Sequence, residues 1–128
     1  MIELTLPWPP SVNAMWRTPN KGPLAGRTML SEEGRAYRLA VRDAVLLQGR
    51  PRIGEQRCAV DIEMRMPDRR RRDVDNAIKG PLDALTHASV WVDDSQVDDL
   101  RVWRSARGGG CIVVRITPIP SAQLELSA

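Results

Sequence analysis

Asp73 and Asp75 are separated by one residue and directly follow four consecutive arginines, Arg69 to Arg72. In an extended chain, residues i and i+2 project to the same side, so this spacing predicts two carboxylates together with Val74 turned inward. Adjacent carboxylates repel each other and need a proton or a cation. Hard oxygen donors in a phosphate-binding setting select Mg²⁺ or Mn²⁺, ions that keep waters able to become nucleophiles. A plainer alternative is a solvated turn in which the aspartates pair with the neighbouring arginines, and an Asp-x-Asp by itself does not separate the two. Lys79 stands four residues after Asp75 and shares its helix face if a helix begins there. It would then place an ammonium near a metal-bound phosphate or a developing oxyanion. Asp93 and Asp94 end the short apolar segment Val90, Trp91, Val92, read as a strand, from which Asp94 would complete a three-carboxylate site. The rival readings are a surface ion pair of Lys79 with Asp75 or Asp83, and an Asp-rich turn.

The charge distribution points to a polyanionic partner. The 128 residues carry 19 Lys and Arg against 16 Asp and Glu, a formal net charge of +3. Residues 61–100 are acidic, and the basic excess lies on either side of them. Nearly all the basic residues are arginine, whose planar fork binds phosphate bidentately and stacks on bases. The run Arg69, Arg70, Arg71, Arg72 is therefore read as phosphate-positioning. Asn13, Trp16 and Arg17, in a proline-rich segment, are candidates for phosphate contacts and base stacking; Trp8 is read as a core plug. His87 is the single histidine, so a Cys/His zinc site with the two cysteines is excluded, and no nucleophile elbow accompanies it. Cys58 and Cys111 lie in strand-like segments and are expected as buried free thiols in a reducing cytoplasm. No apolar run is long enough for a membrane span, and the N-terminal residues MIELTLPWPP have neither a basic nor an apolar leader region.

The elements that must position these residues are legible in part. Ile2, Leu4 and Leu6 alternate with polar residues until Pro7, the period of a half-buried strand. Residues 7–30 hold too many prolines and glycines for a regular element and too many tryptophans for a slack linker. Ser31 can cap a helix over about 32–48, with Glu32 and Glu33 in its first turn and Gly49 and Pro51 beyond its end. Cys58, Val60, Ile62, Met64 and Met66 predict a strand with one wet face, ended by Pro67. Ile78, Leu82 and Leu85 share a helical face, but Gly80-Pro81 either kinks that helix or marks its regular start. Leu100, Val102 and Arg104 suggest a strand, and Gly108-Gly109-Gly110 turns into a Val/Ile-rich strand over 111–117. The expectation is one α+β domain over residues 1–118, a small mixed sheet of about five strands with two helices packed on one side, and a flexible tail over 119–128.

The segments Leu6-Pro7-Trp8-Pro9-Pro10-Ser11-Val12-Asn13 and Met66-Pro67-Asp68-Arg69-Arg70-Arg71-Arg72-Asp73-Val74-Asp75-Asn76 resemble the RusA family of Holliday junction resolvases. Asp83-Ala84-Leu85-Thr86 and Val90-Trp91-Val92-Asp93-Asp94-Ser95-Gln96-Val97 continue the resemblance in order, over roughly residues 4–104. The resemblance implies a small homodimeric, Mg²⁺-dependent endonuclease, often phage- or prophage-derived, that resolves four-way DNA junctions by paired symmetric nicks in recombination and repair. It implies catalytic carboxylates at Asp73, Asp75 and Asp94 and an essential lysine at Lys79. The chain has no phenylalanine, so any aromatic wedge at the junction falls to tryptophan or is absent. Two rivals stay open: a junction-binding protein without nuclease activity, and a metal nuclease for other branched DNA.

Overall fold

The protein is described by a computed structural model over residues 1–120. The first strand, β1 (Ile2–Pro7), leads into a one-turn helix α1 (Val12–Met15) and two two-residue strands, β2 (Trp16–Arg17) and β3 (Met29–Leu30), which pair with each other. Helix α2 (Glu32–Leu47) follows, then β4 (Cys58–Met66), α3 (Lys79–His87), β5 (Val97–Gly108) and β6 (Cys111–Pro118). The four long strands form one mixed sheet in the order β1-β6-β4-β5. Only β4 and β5 are parallel, and α3 lies in the crossover that a parallel pair requires.

Alternation along the strands builds the core. Leu4 and Leu6, Val60, Ile62 and Met64, and Ile112, Val114 and Ile116 all turn to one face of the sheet and are buried. Tyr37, Val41 and Val45 of α2, with Leu82 and Leu85 of α3, cover that face. Ser31 caps α2 by accepting the Gly34 N–H at 3.0 Å. At the far end of α2, the Gln48 side chain donates to the Thr5 carbonyl and accepts the Thr5 N–H, both at 2.8 Å, closing the free edge of β1. From β5 the chain turns through Gly109 and Gly110, at φ 125° and 71°, passes the end of β4 and returns as β6. These positive φ values require glycine.

The structure departs from the sequence expectations in four places. The sheet has four strands, with the β2/β3 ribbon separate. The 7–30 segment is not irregular throughout: Ser11 accepts the Ala14 N–H and starts α1. Val90 to Val92 is not a strand, because Trp91 makes only an isolated bridge to Gly54. The Gln96 side chain takes the place of a ladder partner, accepting the N–H groups of Val92 and Asp93 and donating to the carbonyls of Gly54 and Gln56. The second face of β4 is not wet at Glu63, which is 4% exposed beneath Arg65 and Arg115. Cys58 is buried as expected, whereas Cys111 is partly exposed; both are free thiols. Beyond Pro120, the expected tail lies outside the described residues.

Candidate active site

Strand β4, inside the sheet, delivers the arginine run at the sheet's end. Asp68 accepts the Arg70 N–H at 2.8 Å and receives the Arg72 guanidinium on both oxygens, one of them at 3.1 Å. The Arg72 bridge, first, and the Arg70 N–H lower the Asp68 carboxyl to about 2. Arg72 also lies 5.6 Å from the centre of the Trp8 ring, and its carbonyl accepts a hydrogen bond from Arg104. These contacts pin the end of the run, so Arg72 acts as its anchor. Arg69, Arg70 and Arg71 are exposed, and among the described residues none of them has a carboxylate partner. Arg104, 32 residues away, left no signal in the sequence.

Asp73 follows in extended conformation, φ −82° and ψ 143°, and a 3₁₀ turn over Val74–Ala77 starts immediately after it. The extended i, i+2 argument therefore fails at its second residue. Asp73 and Asp75 are nevertheless both exposed while Val74 packs on the core, because the turn is anchored by buried Ala77. Asn76 accepts the Val12 N–H at 3.4 Å, which ties this turn to α1. Asp73 borders a small apolar cavity lined by Trp8, Ser11, Met64 and Arg72. Trp8 thus serves the site as well as the core it packs against.

Helix α3 begins at Lys79 with Ile78 as its N-cap, and its first α-helical bond runs from the Leu82 N–H to the Ile78 carbonyl. Pro81 therefore occupies the first turn, where its missing N–H has no intrahelical partner to lose. The helix is neither kinked nor delayed. Gly80 is buried, and a Cβ there would lie 3.3 Å from the Met15 sulfur. Lys79 is exposed, with its Nζ 4.6 Å from the centre of the Trp16 ring. Trp16 is half-buried, and its indole N–H is buried without a hydrogen-bond partner. Asn13 on α1 and Arg17 on β2 are exposed.

Asp94 is not drawn into a metal-holding group with Asp73 and Asp75 among the described residues. It opens a 3₁₀ turn over Asp94–Gln96 just before β5, at the end of the sheet where Cys58 pairs with Val97. Asp73 is beside Met64, which pairs with Arg104 towards the other end. Burial first, then Asp93 and Asp83, push the Asp94 carboxyl above its ordinary value. Asp93 caps the turn and accepts the Ser95 hydroxyl at 2.6 Å, so it has a structural job that its neighbour lacks. Asp83 is held by Arg38 at 2.8 and 3.0 Å.

Among the described residues, Asp73, Asp75 and Asp94 make no ion pair, although the chain pairs Asp61, Asp68, Asp83 and Asp98 with arginines. Carboxylates left without an ion pair in this way have the donor chemistry of a hard divalent cation. The fit holds for donor type. Among the described residues, no group of three or more acidic, histidine or cysteine side chains is drawn together at metal-holding distance.

The sequence profile described as Endodeoxyribonuclease RusA matches residues 7–117. A protein named crossover junction endodeoxyribonuclease RusA from Shigella sonnei is 43% identical over 120 residues, covering 90% of this chain and 92% of the relative. The protein of that name from Enterobacteria phage 82 is 46% identical over 118 residues, with the same coverage. Its counterpart from Enterobacteria phage HK97 is 36% identical over 120 residues, covering 93% and 96%. With a profile match from Pro7 to Thr117 and relatives that align over nearly their whole length, the chain belongs to the RusA endodeoxyribonuclease family.

Proposed function

We propose that this endonuclease is Mg²⁺-dependent and resolves four-way DNA junctions by paired symmetric nicks, as a homodimer, in recombination and repair. One observation carries the reading: Asp73 and Asp75 stand next to an arginine run whose only paired carboxylate among the described residues is Asp68. Aspartates meant only to balance the arginines would be bridged by them. The chain instead keeps Arg69, Arg70 and Arg71 open for phosphate and leaves the two carboxylates open for a cation.

In this reading Arg69, Arg70 and Arg71, with Arg17 and Asn13, grip the backbones of the junction arms. Asp73, Asp75 and Asp94 would hold Mg²⁺, or Mn²⁺ in its place, which would neutralise phosphate charge and acidify a water. Lys79 directs its ammonium at the oxyanion that develops as the bond to phosphorus breaks. Two-fold symmetry of a dimer would match the approximate two-fold of a four-way junction and set two sites on opposed strands.

The test is cleavage of a four-way junction beside a linear duplex of the same sequence, with and without Mg²⁺. Nicks at symmetric positions in the junction, dependent on the cation and absent from the duplex, are expected. Binding without cleavage would turn the chain into a junction-binding protein, and equal cleavage of forks or flaps would make it a general branched-DNA nuclease.

A further inference from the structure

Only two of the 19 basic residues are lysines, Lys21 and Lys79. Lys79 sits where the backbone least favours a cation, in the first turn of α3, close to the positive end of the helix dipole. Neither carboxylate one turn away holds it. Asp83 is engaged by Arg38, and among the described residues Asp75 forms no ion pair. What faces the ammonium is the Trp16 ring, at 4.6 Å from ring centre to Nζ, within the range of a cation–π contact.

Trp16 is itself fixed on all sides. Its backbone caps α1 by donating to the Val12 carbonyl, and it pairs with Leu30 in the β2/β3 ribbon. The neighbouring Met15 is fully buried, and its carbonyl accepts both the Ser31 N–H and the Ser31 hydroxyl, each at 2.9 Å. The ring packs on the core, and its N–H is buried without a partner. An indole chosen for hydrogen bonding would not be placed this way. The ammonium over the ring gives this half-buried indole a partner within the chain, a role other than the base stacking expected from the sequence.

We propose that Trp16 is a positioning residue for Lys79, holding the ammonium by its ring face at the start of α3, four residues after Asp75. The inference rests on the reading of Lys79 as a charge-stabilising group in strand cleavage. A neutral ring suits that task better than a carboxylate would. It restrains the ammonium without adding a negative charge beside the phosphate, and it leaves N–H donors free for an anionic oxygen.

The two lysines make a direct test possible. In full-length protein labelled with ¹³C-lysine, the Lys79 side-chain protons are expected upfield of those of Lys21 through the indole ring current. The assignment comes from Lys21→Arg. Trp16→Leu should abolish the upfield shift and Trp16→Phe should keep part of it, with folding of each variant checked by thermal melting. In single-turnover cleavage of a four-way junction, Trp16→Leu should lower the rate roughly ten- to a hundredfold with little change in junction affinity, and Trp16→Phe should recover most of it. Trp16→Leu should cost nothing further in a Lys79→Ala background. A Lys79 signal at the position of Lys21, or an undiminished Trp16→Leu penalty in that background, would overturn the positioning role. A wild-type protein that shows the ring-current shift but cuts no junction would overturn the nuclease reading, and the positioning role with it, while leaving the contact itself established.

Discussion

At the scale of single residues, the site separates groups that hold structure from groups kept free. Asp73, Asp75 and Asp94 belong to the second kind, so replacing each by Asn should lower the junction-cleavage rate at least about a hundredfold while affinity, measured by gel shift, stays near wild type. Asp93→Asn should instead act through its cap and the Ser95 hydrogen bond, lowering the melting temperature more than the rate. The arginine run divides the same way. Replacing any two of Arg69, Arg70 and Arg71 by Ala should flatten the salt dependence of junction binding by about 0.9 in log–log slope for each DNA phosphate left without its arginine. Arg72→Ala releases Asp68 and Trp8 while keeping the carbonyl that Arg104 bonds, so its chief effect should be a loss of order at the Asp68 end of the segment. The sequence showed the acidic pair, the lysine and the basic run, because those signals are local in the chain. It could not show which of four identical arginines is spoken for. That depends on Trp8 and Arg104, which are brought in by the sheet.

At the scale of elements, periodicity was a sufficient guide wherever an element meets the core along its whole length. Both α2 and β4 fall where alternation and the Ser31 cap put them, because burial of Tyr37, Val41 and Val45, and of Cys58 to Met64, repeats at the element's own period. The 7–30 segment was illegible for the opposite reason. Its short pieces are fixed by distant partners: Ser31 on the Met15 carbonyl, and Asn76 on the Val12 N–H. Two glycines test how tight that packing is. At Gly34 a Cβ would collide with the Met15 carbonyl and come within 2.8 Å of the Leu30 side chain. Gly34→Ala is expected to lower stability by about 1–3 kcal/mol in urea unfolding, despite alanine's better helix propensity. At Gly80 the nearest atom is the flexible Met15 sulfur at 3.3 Å, and there Ala should stay within about 0.5 kcal/mol of wild type.

At the scale of the molecule, the two faces of the sheet use different physics. One carries the helices, and the other carries Arg115, which reaches Glu3 at 3.0 Å, Asp61 at 3.4 Å and Glu63 at 3.0 Å. Arg65 first, with help from Ser105 and Arg115, lowers the Glu63 carboxyl to about 2. A lowered carboxyl stabilises the fold above its unfolded value and loses that contribution as pH falls. Stability should therefore decline between about pH 4.5 and 2, and Glu63→Gln should flatten this part of the curve. The larger question is where Asp94 joins the other carboxylates. On β4, Cys58 pairs with Val97 just after the Asp94 turn, and Met64, six residues further along the strand, lies beside Asp73. The turn bearing Asp73 is anchored to Trp8, Arg104 and Val12. In the homodimer proposed above, a second copy related by a two-fold axis would be an alternative source of the third carboxylate. Linked dimers can read this directly. If Asp94 acts across the interface, a dimer joining an Asp75→Asn subunit to an Asp94→Asn subunit keeps one complete set, Asp73 and Asp75 from the second with Asp94 from the first. It should nick one strand of a four-way junction and stall, although neither variant cuts as a homodimer. If all three carboxylates work within one chain, the linked dimer has no complete set and leaves the junction uncut.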